Sequence, residues 1–352
     1  MCLCSSLQAQ EIPASYLSKV RIEYGLPSIS YFWSSKGNEK YNESIGIRKL
    51  GHEQLVSSHD THHLGSCTKS MTALLSAILV DKKIINWNDK VSKYLPTAFK
   101  KTEYSRVTLE MLLAHRAGLQ KSVNKKLHTF FEDTSVDGQE QRKIFIKQLS
   151  DYTNQKIGQF HYSNLGYVLL GHILEKATGL KFTQLVKSYL FEPLEMSSCG
   201  FGETSSLGNV QSKWGHFYSK GKLKSYHYDF PKLYEPAASI HCNFQDWNKF
   251  LKVTMNGYNK KSNFLSQESF KKLYSTYNHQ EFGYTFGGWE LKKVDGFKGA
   301  VLTHHGYNQL NYAEVFIEPS SENIYAFATN AYHNAAQAVD QLIVYIHQVR
   351  KK

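Results

Sequence analysis

Strand-like segments stand at the two ends of this chain, and helical periodicity fills most of what lies between them. Residues 28 to 35, Ser-Ile-Ser-Tyr-Phe-Trp-Ser-Ser, and residues 40 to 47 read as strands, with Lys36-Gly37-Asn38-Glu39 as the turn that joins them. From about 84 to 265 the pattern is mainly helical: Thr108 reads as an N-cap for Leu109 to His115, and Leu165, Val168, Leu169, Ile173 and Ala177 form an apolar stripe that stops at Gly179. Strand signals return after about 280, at Tyr284 to Val294, Ala300 to His304, Asn311 to Ile317 and Ile324 to Thr329, and a helical segment follows from about Ala335 to Val349. This order predicts an α/β (α+β) fold: an antiparallel sheet assembled from both chain ends, flanked by helices, with an inserted mainly helical lobe. The expected division is one domain over 11–352, with a sheet lobe at about 11–83 and 266–352 and a helical lobe at about 84–265.

Within that frame one tetrad carries chemistry. Ser66-Cys67-Thr68-Lys69 opens a helix whose apolar face is Met71, Leu74, Leu75, Ile78 and Leu79, with Gly65 before it and Asp81-Lys82-Lys83 closing the run. Residues three apart share a helix face, so the Ser66 hydroxyl and the Lys69 amine can meet. A serine hydroxyl needs a neighbour to take its proton, and a lysine desolvated against an apolar helix is neutral enough to do so. Unpaired N–H groups at the helix start add a place for an oxyanion. The spacing alone is not specific, since any helix can set a serine and a lysine three apart.

Two further groups make it specific. Tyr162-Ser163-Asn164 stands at the start of the Leu165 stripe and supplies a phenol, whose proton a nearby lysine would loosen, and an amide that both donates and accepts. Read alone, Ser163 or Asn164 would merely cap that helix while Tyr162 packs. Thr303-His304-His305-Gly306 ends a strand, where a cation or donor could hold a substrate carboxylate or carbonyl while Gly306 lets the backbone approach closely.

In this order, Ser-x-x-Lys, Tyr-Ser-Asn and His-x-Gly resemble the three motifs of the serine β-lactamase and penicillin-binding protein superfamily, in its class C-like branch. The likeness extends to the text around His63–Ala73, Leu112–Leu119 and Tyr162–Gly171, and covers roughly residues 20 to 348. It implies a β-lactamase/transpeptidase-like fold and a serine hydrolase with an acyl-enzyme on Ser66. Lys69 and Tyr162 would share proton transfer. The backbone N–H groups of Ser66 and Tyr307 would form the oxyanion hole, Asn164 would orient Lys69 or the substrate amide, and His304 with Gly306 would hold the far side of the substrate. The implied substrate is a small molecule or peptide of cell-wall type: a D-amino-acid peptide, a β-lactam or an ester. No cofactor and no metal are implied. Classical members carry Lys-Thr-Gly where this chain has His304-His305-Gly306, so recognition of an anionic substrate end would rest on a His304 imidazolium, and kcat/KM would then fall as pH rises through the histidine pKa. The alternative from another class is a non-catalytic binding protein that keeps the fold and grips an anionic wall polymer.

Other features exclude more than they assign. The net charge of +12, from 42 Lys and Arg against 30 Asp and Glu, is scattered over the chain, and no nucleic-acid motif accompanies it. No run is long enough to span a bilayer. The five cysteines, 2, 4, 67, 199 and 242, are odd in number and widely spaced, unlike a disulfide framework or a CxxC site. Residues 1–10 read as the remnant of an export signal with Ala9-Gln10 as a cleavage point, which implies a periplasmic or secreted protein. His59, Asp60, His62 and His63 crowd before Ser66, but their order matches neither HxHxDH nor HExxH and reads as a polar strand. His172, beside the apolar stripe, reads as a core histidine.

Overall fold

The computed structural model describes residues 12–97, 102–133 and 135–351. The expected signal remnant at 1–10, with Cys2 and Cys4, lies outside them.

The strands, in chain order, are β1 (Ser28–Ser35), β2 (Asn38–Gly46), β3 (His62–His63), β4 (Gly200–Phe201), β5 (Gly215–Ser219), β6 (Lys222–Tyr226), β7 (Ile240–Cys242), β8 (Gly283–Tyr284), β9 (Glu290–Lys292), β10 (Val301–Tyr307), β11 (Tyr312–Glu318) and β12 (Asn323–Thr329). Seven of them form one antiparallel sheet in the order β2-β1-β12-β11-β10-β9-β8, so the first strands of the chain pair with the last. Ile29 faces Thr329 and Ser35 faces Asn323 along the seam.

Both faces of this sheet are covered, and the strands alternate by size. Tyr312, Phe316, Tyr325 and Phe327 point with Tyr31 and Trp33 toward the terminal helices Ala14–Glu23 and Ala335–Arg350, where Leu17, Val20, Val339 and Leu342 meet them. Ala313, Val315, Ala326 and Ala328 point the other way, into the main core. Small side chains on that face leave room for the Phe244–Tyr258 helix and for the Gly65–Cys67 turn, which lie directly on the sheet.

The helix Thr68–Asp81 follows that turn and is buried on nearly every side, not only along the predicted apolar face. It runs between sheet and helical region, as an all-round buried helix must. Beyond it lie the helices Gly138–Lys147 and Asn164–Thr178, tied together by a buried charge cluster. Arg142 Nη2 meets Glu175 Oε1 at 2.6 Å, and its Nη1 meets Glu235 Oε2 at 3.0 Å. Glu235 starts the short helix Glu235–Ala238, so the cluster fixes the segment that carries the Ala237 carbonyl.

Three local expectations change. The single strand expected at Tyr284 to Val294 is two short strands, because the chain turns at Gly287-Gly288 to pass over the backbone of Lys69, where a Cβ on Gly288 would stand 3.1 Å from the Lys69 carbonyl carbon. The stretch read as mainly helical also contains the β5–β6 hairpin and the short strands β4 and β7, which pair with β3 in a small sheet. The cysteines are not all unpaired: Cys199 and Cys242 form a disulfide, while Cys67 is free and buried. Among the described residues no helix is long and apolar enough to cross a membrane.

Candidate active site

The three motifs converge on one cleft of about 880 Å³ between the sheet edge and the helical region. Ser66, Tyr162, Asn164, His304 and Tyr307 all line it, and aromatic walls come from Phe160, Phe230, Tyr234 and Tyr284.

Ser66 sits in the 3-10 turn Gly65–Cys67, the one partly exposed residue in a buried run. Gly65 has a left-handed φ of +50°, and a Cβ there would stand 2.2 Å from the Tyr307 nitrogen. From the other side, a Cβ on Gly306 would stand 2.4 Å from the Ser66 nitrogen. Two glycines therefore bring the backbones of the turn and of β10 together at the two amides expected to bind an oxyanion.

Lys69 is fully buried, and its Nζ has three oxygen neighbours: Asn164 Oδ1 at 2.8 Å, the Ala237 carbonyl at 2.9 Å and Ser66 Oγ at 3.0 Å. Burial holds its pKa well below the ordinary lysine value, Cys67 pulls the other way, and Lys121 adds a like charge. A neutral amine has two hydrogens and one lone pair. Two carbonyl acceptors match the two hydrogens, which leaves the lone pair for the Ser66 hydroxyl.

The motif at the start of the Asn164–Thr178 helix divides its labour. Ser163 caps the helix, its Oγ accepting from Gly166 N at 3.0 Å, so Asn164 is free to reach Lys69. His115, at a φ of +57°, shapes the approach: its carbonyl accepts from His161 N and its Nδ1 from Ser163 N at 3.0 Å. The Tyr162 ring lies 4.9 Å from Lys69 Nζ and 4.3 Å from the His115 ring. Burial pushes the Tyr162 phenol up, against a side-chain hydrogen bond with Ser66 that pulls it down. Burial thus works against the expected loosening of the phenolic proton, and the lowered pKa of Lys69 weakens the charge that would favour it.

His304 also departs from expectation. Its Nδ1 contacts the Gly288 carbonyl, so that nitrogen carries hydrogen and Nε2 is the ring's acceptor in the neutral form. Burial, with Lys69 as a lesser cause, pushes its pKa down to about 3. That shift works against the imidazolium expected to hold a substrate carboxylate.

The crowd of polar residues before Ser66 is structural in geometry. Asp60 takes a 2.7 Å ion pair from Arg48, and His62 stacks on Phe244 while its Nδ1 meets Lys213 Nζ at 2.6 Å. Among the described residues no group of three or more His, Cys, Asp or Glu is placed to hold a metal ion. His172 is buried, with its Nδ1 3.6 Å from Glu175 Oε2. Sequence reasoning missed the Ala237 carbonyl, which no side-chain motif announces. It also missed the positioning role of His115, although that residue lies in the Leu112–Leu119 text.

A sheet built from both chain ends, with a Ser-x-x-Lys helix against it, defines the β-lactamase/transpeptidase fold. The family model described as Beta-lactamase matches residues 10–348, and the chain belongs to that family. Protein flp of Staphylococcus aureus (strain MW2) is 25% identical over 270 residues, which is 75% of this chain and 52% of flp. The chain spans about a third to a half of the length of the curated relatives it matches. Among solved structures, the octameric penicillin-binding protein homologue from Pyrococcus abyssi superposes with a TM-score of 0.75 at 23% identity, over 94% of this chain and 76% of that one. The D-amino acid amidase from Ochrobactrum anthropi SV3, solved with L-phenylalanine, superposes with a TM-score of 0.76 at 16% identity, over 95% and 98%.

Proposed function

We propose that this protein is a serine hydrolase that turns over an amide, β-lactam or ester through an acyl-enzyme on Ser66. The observation that carries the reading is the environment of Lys69: a buried amine with two carbonyl acceptors and one serine hydroxyl within 3.0 Å. Ser66 Oγ attacks the substrate carbonyl as its proton passes to Lys69 Nζ. The amides of Ser66 and Tyr307 take the charge that develops on the carbonyl oxygen. Tyr162, a phenol at neutral pH, stands beside Ser66 to relay a proton to the leaving group, and Asn164 holds Lys69 in register. Water then attacks the acyl carbonyl along the same path in reverse.

The substrate reading narrows at His304. A neutral ring with Nε2 as acceptor favours a donor on the substrate, such as an amide N–H, over a carboxylate. D-amino-acid peptides and amides fit this better than substrates selected by an anionic end, and the similarity to a D-amino acid amidase supports the same direction. The Cys199–Cys242 disulfide supports an oxidising compartment, periplasmic or extracellular.

A fluorophosphonate or fluorescent penicillin probe tests the reading. Labelling of the wild type that vanishes in Ser66→Ala is the expected result. Equal labelling of both would remove Ser66 as the nucleophile, and no labelling or turnover of any ester or D-amino-acid amide would favour a binding protein.

A further inference from the structure

We propose that Asp229 is a positioning residue for the oxyanion site, holding the Ser66 turn through His63 and the end of β10 through Asn308; the proposal rests on the acyl-transfer reading above.

Asp229 belongs to neither element that supplies an oxyanion amide. It lies in the irregular segment between β6 and Pro231, with its side chain only 5% exposed. Two groups converge on its Oδ1: His63 Nε2 at 2.8 Å and Asn308 Nδ2 at 3.2 Å.

His63 stands in β3, two residues before Gly65, with its side chain fully buried. Its Nδ1 accepts from Gly65 N at 3.2 Å, so in the neutral ring the hydrogen is on Nε2, facing the carboxylate. The carboxylate thereby sets the tautomer, and the tautomer sets the acceptor that holds Gly65 N. Reversed, two N–H groups would face each other and the Gly65 amide would lose its partner.

Asn308 follows Tyr307 and is fully buried. Its Oδ1 accepts from Leu310 N at 3.3 Å, Asn311 N at 3.0 Å and Asn311 Nδ2 at 3.2 Å, which closes the turn from β10 to β11. With the oxygen so occupied, the amide NH2 is the end that faces Asp229.

One oxygen therefore connects the residue before Ser66 and the residue after Tyr307. Those backbones already touch through Gly65 and Gly306 with no room for a side chain, so small displacements of either would move one amide relative to the other. Burial would raise the Asp229 pKa, but His63 and the donors around the carboxylate bring it below its ordinary value, so it stays charged.

The test uses the full chain, with a fluorophosphonate probe for the acylation rate and a p-nitrophenyl ester for kcat and KM. Asp229→Asn keeps shape and removes charge. We expect acylation and kcat to fall by about 10- to 100-fold, the scale of a misplaced reacting group, with KM nearly unchanged. His63→Gln, whose amide oxygen can accept from Gly65 N, should retain more activity than His63→Ala, and Asp229→Asn combined with His63→Ala should fall no further than the worse single variant. Asp229→Asn acylating within twofold of wild type overturns the proposal alone. So does a loss confined to KM, or one that matches the unfolded fraction in a thermal melt. A wild type that no probe labels would overturn the acyl-transfer reading and this inference with it.

Discussion

Gly306→Ala isolates the oxyanion site by sterics alone. The added methyl would stand 2.1 Å from the Leu64 carbonyl oxygen, 2.4 Å from Ser66 N and 2.9 Å from Cys67 N. Non-bonded carbon contacts settle near about 3.5 Å, so turn and strand must part by roughly 1 Å or more. Neither can yield cheaply. β10 is paired to β11, with Gly306 opposite Ala313, and the turn runs into the buried Thr68–Asp81 helix. Gly306 does not have a left-handed φ, so alanine adopts its backbone without strain and the collision is the whole perturbation. Parting the two backbones moves Ser66 N away from Tyr307 N. Losing one oxyanion donor costs about 100- to 1000-fold in rate, or about 2.7–4 kcal/mol. A displacement without full loss should sit near the lower end, so acylation is expected to slow about 100-fold. Overpacking also costs about 1–3 kcal/mol of stability, which needs its own control. Gly257→Ala supplies it: a methyl there collides with the Phe270 ring at 2.3 Å, in a helix contact outside the cleft. Stopped-flow acylation by a p-nitrophenyl ester, read beside thermal melts, should show both variants destabilised and only Gly306→Ala slowed. Gly306→Ala acylating within threefold of wild type would refute the placement of the oxyanion amides.

Two further outcomes follow from the buried groups. With Lys69 held well below its ordinary pKa and His304 pushed to about 3, activity should rise with pH through the lowered lysine pKa and then stay level. It should show no descending limb near the usual histidine pKa of about 6.5, and His304→Gln should leave the shape of the profile unchanged between about pH 5 and 8; a descending limb there that His304→Gln removes would restore the imidazolium. Arg142→Met leaves Glu175 and Glu235 buried without their cation and should cost about 3–5 kcal/mol in urea unfolding. A loss below about 1 kcal/mol would mean that the carboxylates are protonated or hydrated there instead.

How far the sequence reaches depends on whether the information is local. β1, β11 and β12 were legible because each is a short apolar run between turn residues, and strand signals at both chain ends pointed to one sheet assembled from both, without giving the order of its strands. Ser66 and Lys69 were legible because a helix turns three apart into adjacent. The Ala237 carbonyl was not, since every residue has a carbonyl and only the fold brings this one to Lys69. The Cys199–Cys242 pair was hidden by the other cysteines, because spacing cannot choose partners across a small sheet. The charge state of His304 is hidden for a related reason: a histidine in a strand shows its residue type, but its pKa belongs to what covers it. Asp229 shows the limit most plainly, lying far along the chain from both His63 and Asn308 and carrying no motif of its own.

The groups nearest Ser66 share one property that the net charge of +12 conceals. Burial shifts each toward its uncharged form: Lys69, His304 and His115 are pushed down, and the Tyr162 phenol is pushed up. Burial thus disfavours charge on the groups beside the nucleophile before attack. Attack creates two at once, an alkoxide at the Ser66 and Tyr307 amides and an ammonium on Lys69, and in a poorly solvated site those opposite charges attract far more strongly than in water. That attraction exists in the transition state and not in the ground state, which is the condition for a contribution to rate rather than to binding. A fixed His304 cation or an ionised Tyr162 would each have altered one partner in advance. Substrate charge is then a matter for the cationic side chains of the wall: Arg116 and Lys121 line the cleft, and any anionic end of a substrate is expected to settle toward them and not on His304.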